Sequence, residues 1–251
     1  MLGVYLSGTG NTKHCVEKLV SLIDGSAEVI PLEDRDTAER IKAEDTIILG
    51  YPTQFSNAPI MVRDFIKSHD IWKGKKVLCV TTMGAFSGDG AGCAARLLKK
   101  KGAVILGGLQ IKMPDSVCDS KLLKKSLAEN REIIKNADAK IEKAAKDIKN
   151  GVYPKDGVTF FAHIAGLMGQ RLWFYGKTKD FSDKLKISGS CTGCGLCSRE
   201  CPMHNITVSG GKAKAGNRCT MCYRCISQCP QKAITLIGKE VQEQCRFSKY
   251  V

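Results

Sequence analysis

Eight of the chain's thirteen cysteines fall between Cys191 and Cys229, in two copies of one pattern. Cys191-Thr192-Gly193-Cys194-Gly195-Leu196-Cys197-Ser198-Arg199-Glu200-Cys201-Pro202 recurs as Cys219-Thr220-Met221-Cys222-Tyr223-Arg224-Cys225-Ile226-Ser227-Gln228-Cys229-Pro230. Three thiolates at this spacing can wrap one face of a cubane, and a fourth, directed away by the following proline, ligates the other cluster. The spacing therefore sorts the ligands into two sets: Cys191, Cys194, Cys197 and Cys229 for one 4Fe–4S cluster, and Cys219, Cys222, Cys225 and Cys201 for the second. Four-thiolate zinc sites also use CxxC pairs, but the duplicated three-plus-one spacing with a proline after each fourth cysteine favours the clusters. An odd cysteine total packed into such repeats argues against a disulfide scaffold and for a reducing compartment.

From Gly189 onward the chain is rich in Cys, Gly and Pro with only short strand-like runs, so this small core needs metal staples. The rest reads differently. At 251 residues and 43% hydrophobic content the chain has room for one large domain or two unequal ones. Its first 150 residues alternate β-branched runs (2–6, 27–32, 46–50, 76–81, 104–112) with amphipathic helical runs (12–23, 59–69, 90–101, 120–150). This α/β alternation predicts a doubly wound five-stranded parallel sheet of order 2-1-3-4-5, its ligand crevice at the carboxyl ends of strands 1 and 3. The expected organisation is a first domain over 1–150, an aromatic connector over 151–188 and a small α+β domain over 189–251. Phe160, Phe161, Trp173, Phe174, Tyr175 and Phe181 make the connector too apolar for a free tether. Five of them, Phe160, Phe161, Trp173, Phe174 and Tyr175, are expected to pack against both domains.

Ser7-Gly8-Thr9-Gly10-Asn11-Thr12 follows strand 1 and opens helix 1. Backbone N–H groups at a helix start bind anions, and glycines allow close approach. Lys13 stands where a dinucleotide fingerprint has its third glycine, and no GK[ST] follows. The hydroxyls of Ser7, Thr9 and Thr12 suit a terminal phosphate monoester instead. This segment resembles the phosphate loop of flavodoxins, in which Ser7, Thr9, Gly10, Asn11 and Thr12 hold the FMN phosphate. The resemblance covers about residues 1–115. It implies that the loop after strand 3 (Pro52, Thr53, Gln54, Phe55, Ser56, Asn57) and the loop after strand 4 (Thr82, Met83, Gly84, Ala85, Phe86, Gly88, Asp89) embrace the flavin ring. Three departures stand out. The strand 3 loop has no glycine, leaving Asn57 as the residue that tolerates positive φ. Gly92 stands where many flavodoxins place a stacking tyrosine. The domain is basic where flavodoxins are usually acidic. The cysteine repeats resemble bacterial two-cluster ferredoxins, and together the two resemblances point to the flavodoxin–ferredoxin fusion proteins of anaerobes.

The formal net charge is +14, and residues 189–251 carry nine basic against three acidic side chains. Two oxidised clusters with their thiolates add about −2 each, and a flavin phosphate roughly −1.5 to −2, leaving a basic protein that steers toward acidic redox partners of ferredoxin or flavodoxin type. The basic residues are spread over helices without a dense tract, which disfavours nucleic acid. No leader is visible, and the apolar stretch over 158–175 is interrupted by His163, Gln170 and Arg171, too early for a bilayer span. A cytoplasmic protein with no transmembrane segment is expected. Cys15, Cys79, Cys93, Cys118 and Cys245 lie outside the cluster motifs, and His14, His69, His163 and His204 form no metal spacing. No catalytic set of Ser, His and Asp stands out. Two functions remain open: an electron carrier linking FMN and two 4Fe–4S clusters to redox partners, or an FMN-dependent reductase of a small molecule of quinone or tetrapyrrole type. Gly92 would open the flavin face for the second. The sequence is silent on oligomeric state.

Overall fold

A computed structural model describes residues 1–159, 161, 162, 164, 168, 181 and 183–251. Five strands, β1 (Leu2–Tyr5), β2 (Glu28–Pro31), β3 (Thr46–Pro52), β4 (Lys76–Met83) and β5 (Val104–Lys112), form one sheet of order β2-β1-β3-β4-β5. Every pairing in it is parallel. Successive side chains of a strand point to opposite faces. In β3, accordingly, Ile47, Leu49 and Tyr51 enter one core and Ile48 the other. The first core is covered by α2 (Thr37–Ala43), α3 (Ile60–Ser68) and α4 (Gly90–Lys100), the second by α1 (Asn11–Ile23) and α5 (Leu127–Lys149). A Cβ on Gly50 would lie 2.2 Å from Val16 Cγ2, so glycine in β3 lets α1 sit close to the sheet.

The structure corrects two expectations here. The short helix α2 goes unread in the sequence because its seven residues give little more than one apolar turn around Ile41. The last helix begins at Leu127 rather than at residue 120, under a capping box in which Ser126 Oγ accepts from Glu129 N and the Glu129 carboxylate accepts from Ser126 N. Residues 113–125 are thereby free to run along the carboxyl edge of the sheet. Beyond α5, Pro154 and Asp156 bond to Gly108, which lays the first residues of the connector against β5.

The C-terminal unit comprises β6 (Lys186–Ile187), α6 (Leu196–Glu200), β7 (Ile206–Ser209), β8 (Lys212–Ala215), α7 (Arg224–Gln228) and β9 (Ile234–Thr235). β7 and β8 form a hairpin about Gly210 and Gly211, both at positive φ. Its small core gathers Leu185, Ile206, Ile226, Ile234 and Leu236 with Cys191, Cys197, Cys219, Cys225 and Cys229, and Cys118 joins it from the first unit. The final residues then return to the first unit. Phe247 N donates to Thr9 O (2.8 Å), its ring stacks on His14, and Tyr250 O accepts from Arg131 Nε (3.3 Å). Of the connector aromatics, Phe160, Trp173, Phe174 and Tyr175 lie outside the described residues. Phe161 is 81% exposed, which corrects the expectation that it packs between the units. Phe181 stacks on Phe55 instead. Among the described residues, no helix is long and apolar enough to cross a membrane.

Candidate cofactor sites

The carboxyl ends of β1, β3, β4 and β5 open into one cleft, the place where doubly wound sheets bind ligands. Ser7, Gly8, Thr9, Asn11, Thr12, Pro52, Thr53, Gln54, Phe55, Thr82, Met83 and Gly84 line it. The remaining positions expected there stand outside its lining, each for a local reason. Gly10, at φ 98°, is the residue that turns the chain into α1. Ser56 is fully buried, and Asn57 closes the strand 3 loop by exchanging both backbone hydrogen bonds with Gln54. The positive φ angles of that loop belong to Phe55 (49°) and Ser56 (55°), not to Asn57. These left-handed conformations are strained for residues other than glycine and cluster at functional sites. Asp89 is buried and pairs with Arg96 at 2.8 Å. Ala85, Phe86 and Gly88 border the same loop, and Phe86 is exposed. Gly92 faces away: its N–H donates to Gly157 O (2.9 Å), and a Cβ there would lie 2.7 Å from that oxygen. It therefore opens no flavin face.

Sequence reasoning missed a third loop. Pro114, Asp115, Ser116 and Val117 follow β5 and line the cleft. Burial holds the Asp115 carboxyl above the usual carboxylate range, against the hydrogen bond it accepts from Val117 N. A polar run at the carboxyl end of β5 was the available signal.

The residues present fit an FMN phosphate and ribityl chain. Helix α1 starts with no side-chain cap and no acid in its first turn, so its N–H groups and dipole are available to an anion. Asn11 donates from Nδ2 to Pro114 O (2.7 Å), while its buried Oδ1 has no partner among the described residues and can accept from a ligand hydroxyl. Thr12 Oγ1 and Thr82 Oγ1 share a hydrogen bond of 2.8 Å at the floor. Thr12→Ala is expected to weaken FMN by about 1–3 kcal/mol through loss of a charge-assisted hydrogen bond. Quenching of flavin fluorescence on titration measures this, and an unchanged affinity would place the phosphate elsewhere.

Each set of four cysteines surrounds its own cavity. Cys191, Cys194, Cys197 and Cys229 line one, together with Pro230 and Ile234. Cys201, Cys219, Cys222 and Cys225 line the other, together with Tyr223 and Arg224. Among the described residues, no three His, Cys, Asp or Glu side chains are grouped to hold a single ion. Backbone N–H groups point at several sulfurs. Cys191 accepts from Gly193 and Ala213 (both 3.4 Å), Cys219 from Met221, Cys201 from Asn205 and Cys229 from Ala233 (each 3.3 Å). Such donors stabilise thiolates and tune cluster potentials. The sets differ in burial: Cys194 is exposed, whereas Cys225 is buried. The amide bonds hold the Cys191 thiol below its usual range, while burial pushes Cys219 up to about 12.

The second cysteine run also forms a wall of this cleft. Met221, Cys222 and Tyr223 line it opposite the β-strand loops, joined by Ile237 and Leu123. The approach is backbone to backbone, since a Cβ on Gly8 would lie 1.6 Å from Cys222 O. Arg224 donates to Ser7 O (2.8 Å) and pairs with Glu33, while Gln54 Nε2 donates to Thr220 O (2.7 Å) and Met221 O (3.1 Å). Asp119 completes the joint. Its Oδ1 accepts from Tyr223 OH (3.0 Å), and its Oδ2 accepts from the amides of Leu236, Ile237 and Gly238 (2.7, 2.9 and 3.0 Å).

Comparison with known proteins agrees with this architecture. Residues 2–150 match the flavodoxin domain family, and residues 190–234 match the 4Fe-4S dicluster domain. The first match spans more than half of the chain, which therefore belongs to the flavodoxin domain family. The two domains imply FMN and iron–sulfur chemistry, and with it electron transfer. Solved structures similar to this chain include oxidised flavodoxin 2 from Bacillus cereus, at 23% identity over 60% of this chain and 97% of its own, with a TM-score of 0.43. Two-electron reduced Megasphaera elsdenii flavodoxin shares 22% identity over 58% of this chain and 99% of its own, with a TM-score of 0.42. No curated protein matches the chain.

Proposed function

We propose that the chain is an electron-transfer flavo-iron–sulfur protein with two 4Fe–4S clusters and one FMN. Residues 1–150 hold the flavin, and 189–251 carry the clusters on the ligand sets Cys191, Cys194, Cys197 and Cys229, and Cys219, Cys222, Cys225 and Cys201. When bound, FMN exchanges one or two electrons and each cluster one. The observation that carries the reading is the wall made by Met221, Cys222 and Tyr223. A ligand cysteine of the second set stands beside the flavin cleft, and Gly8, Gln54, Asp119 and Arg224 hold it there. The exposed Cys194 supports the first set as the point of exchange with outside proteins. Arg199 and Lys212 frame it, donating to the carbonyls of Cys194 (3.4 Å) and Cys191 (2.5 Å), which suits an acidic redox partner.

The reductase alternative needs an open flavin face, whereas Leu123, Met221, Tyr223 and Ile237 line the cleft together with the loops at the sheet edge. This favours the carrier. Anaerobically reconstituted protein is expected to contain about eight iron and eight acid-labile sulfides per chain with FMN rather than FAD. Reduced ferredoxin should reduce it in stopped flow far faster than NADPH does. Stoichiometric zinc without sulfide, or rapid turnover of a quinone with no protein partner, contradicts the reading.

A further inference from the structure

Cys118 and Cys245 belong to neither cluster set, and both are buried, at 0% and 2% exposure. They come from opposite ends of the fold: Cys118 from the loop after β5 that lines the flavin cleft, Cys245 from the C-terminal segment returning over the first unit. Their thiols are close enough to act on each other. Lys124 Nζ lies 2.9 Å from Cys245 Sγ, and Ser227 Oγ lies 3.1 Å from Cys118 Sγ. The backbones are already side by side, because Cys118 O accepts from Gln242 N (2.9 Å) and Glu243 N (3.2 Å), and Ser227 Oγ donates to Cys245 O (2.8 Å).

The geometry points to a redox-active dithiol: Cys118 and Cys245 convert reversibly to a disulfide, with a small-molecule disulfide as the oxidant. The interaction with Cys118 and, beside it, the ammonium of Lys124 at 2.9 Å hold Cys245 low and make it the thiolate of the pair, while Cys118 is held high. The other buried thiols of the first unit differ. Burial pushes Cys15 and Cys79 up with no cation contributing, and it pushes Cys93 up despite Arg96 and Arg63. In the reaction the C-terminal segment first lifts from the first unit, and the Cys245 thiolate then attacks one sulfur of the reagent, forming a mixed disulfide and expelling one thiolate. Cys118 then gives up its proton and attacks the Cys245 sulfur, expelling the second thiolate. Two protein thiols are oxidised by two electrons, and the reagent is reduced to two thiols. The bond would staple the C-terminal segment to the cleft loop, closing a loop that contains the connector and both cysteine runs.

The test is anaerobic equilibration of the holoprotein in glutathione buffers of graded redox poise, followed by alkylation and non-reducing peptide mapping. A linked Cys118–Cys245 peptide should grow with the oxidised fraction while iron and flavin contents hold, and should vanish in Cys118→Ser and Cys245→Ser. Lys124→Met removes the stabilised thiolate, so the disulfide should survive severalfold more reduced glutathione. Full alkylation of both cysteines at every poise with cofactors intact overturns the proposal. Pairing of either cysteine with Cys15 or with a cluster cysteine, as often as with each other, overturns it equally.

Discussion

Cys201→Ser should strip the second cluster while sparing the first, although Cys201 sits in the first cysteine run. The proposed fourth ligands are exchanged: Cys201 lines the cavity of Cys219, Cys222 and Cys225, and Cys229 lines that of Cys191, Cys194 and Cys197. Serine offers a poorer ligand to iron than a thiolate, so iron and sulfide should fall from about eight toward about four per chain. Because the second site adjoins the cleft, flavin reduction through the protein should slow by orders of magnitude, while FMN affinity changes little. Equal loss of both clusters, or selective loss of the first, contradicts the ligand assignment. Iron and sulfide analysis with low-temperature electron paramagnetic resonance reads both results.

Asp119→Ala should be the most disruptive substitution away from the cofactors. One carboxylate accepts four hydrogen bonds across the joint, from Tyr223 OH and three consecutive amides, at a side chain that is 5% exposed. Its removal leaves those donors without an acceptor, and hydrogen bonds to a buried charge are worth about 1.5–3 kcal/mol each. Even with water replacing part of them, a loss of about 3 kcal/mol or more is expected. Thermal loss of iron–sulfur absorbance should move to markedly lower temperature, with Asp119→Asn intermediate because it keeps an acceptor oxygen. An unchanged transition in Asp119→Ala would mean that the carboxylate does not hold the units together.

The fold was legible where local chemistry repeats. Alternating β-branched and amphipathic runs imply parallel strands joined by crossover helices, which suits the doubly wound order that the sheet adopts. The segment from Ser7 to Thr12 was legible as a turn into α1 at the cleft, because glycines and hydroxyls directly after a strand open a helix start. Ser126 and Glu129 were a readable capping box, yet the Lys-rich run before them masked the helix start. The joint was not legible. Gly8 reads as part of the phosphate loop, and nothing local announces that its missing side chain also admits the Cys222 carbonyl. Phe55 and Ser56 at positive φ were hidden for the opposite reason, since bulky and hydroxyl side chains disfavour that conformation and Asn57 seemed the natural site. Cys118 and Cys245 are far apart in sequence, and only the fold brings them together.

The account rests on electrons crossing between the second cluster and the flavin within one chain. Anaerobic stopped flow with a one-electron reductant, monitoring cluster and flavin absorbance separately at several protein concentrations, tests this most directly. The predicted result is cluster bleaching followed by flavin reduction, at a rate independent of protein concentration and lost in Cys201→Ser. Flavin reduction whose rate rises in proportion to protein concentration, or persists undiminished in Cys201→Ser, would contradict it.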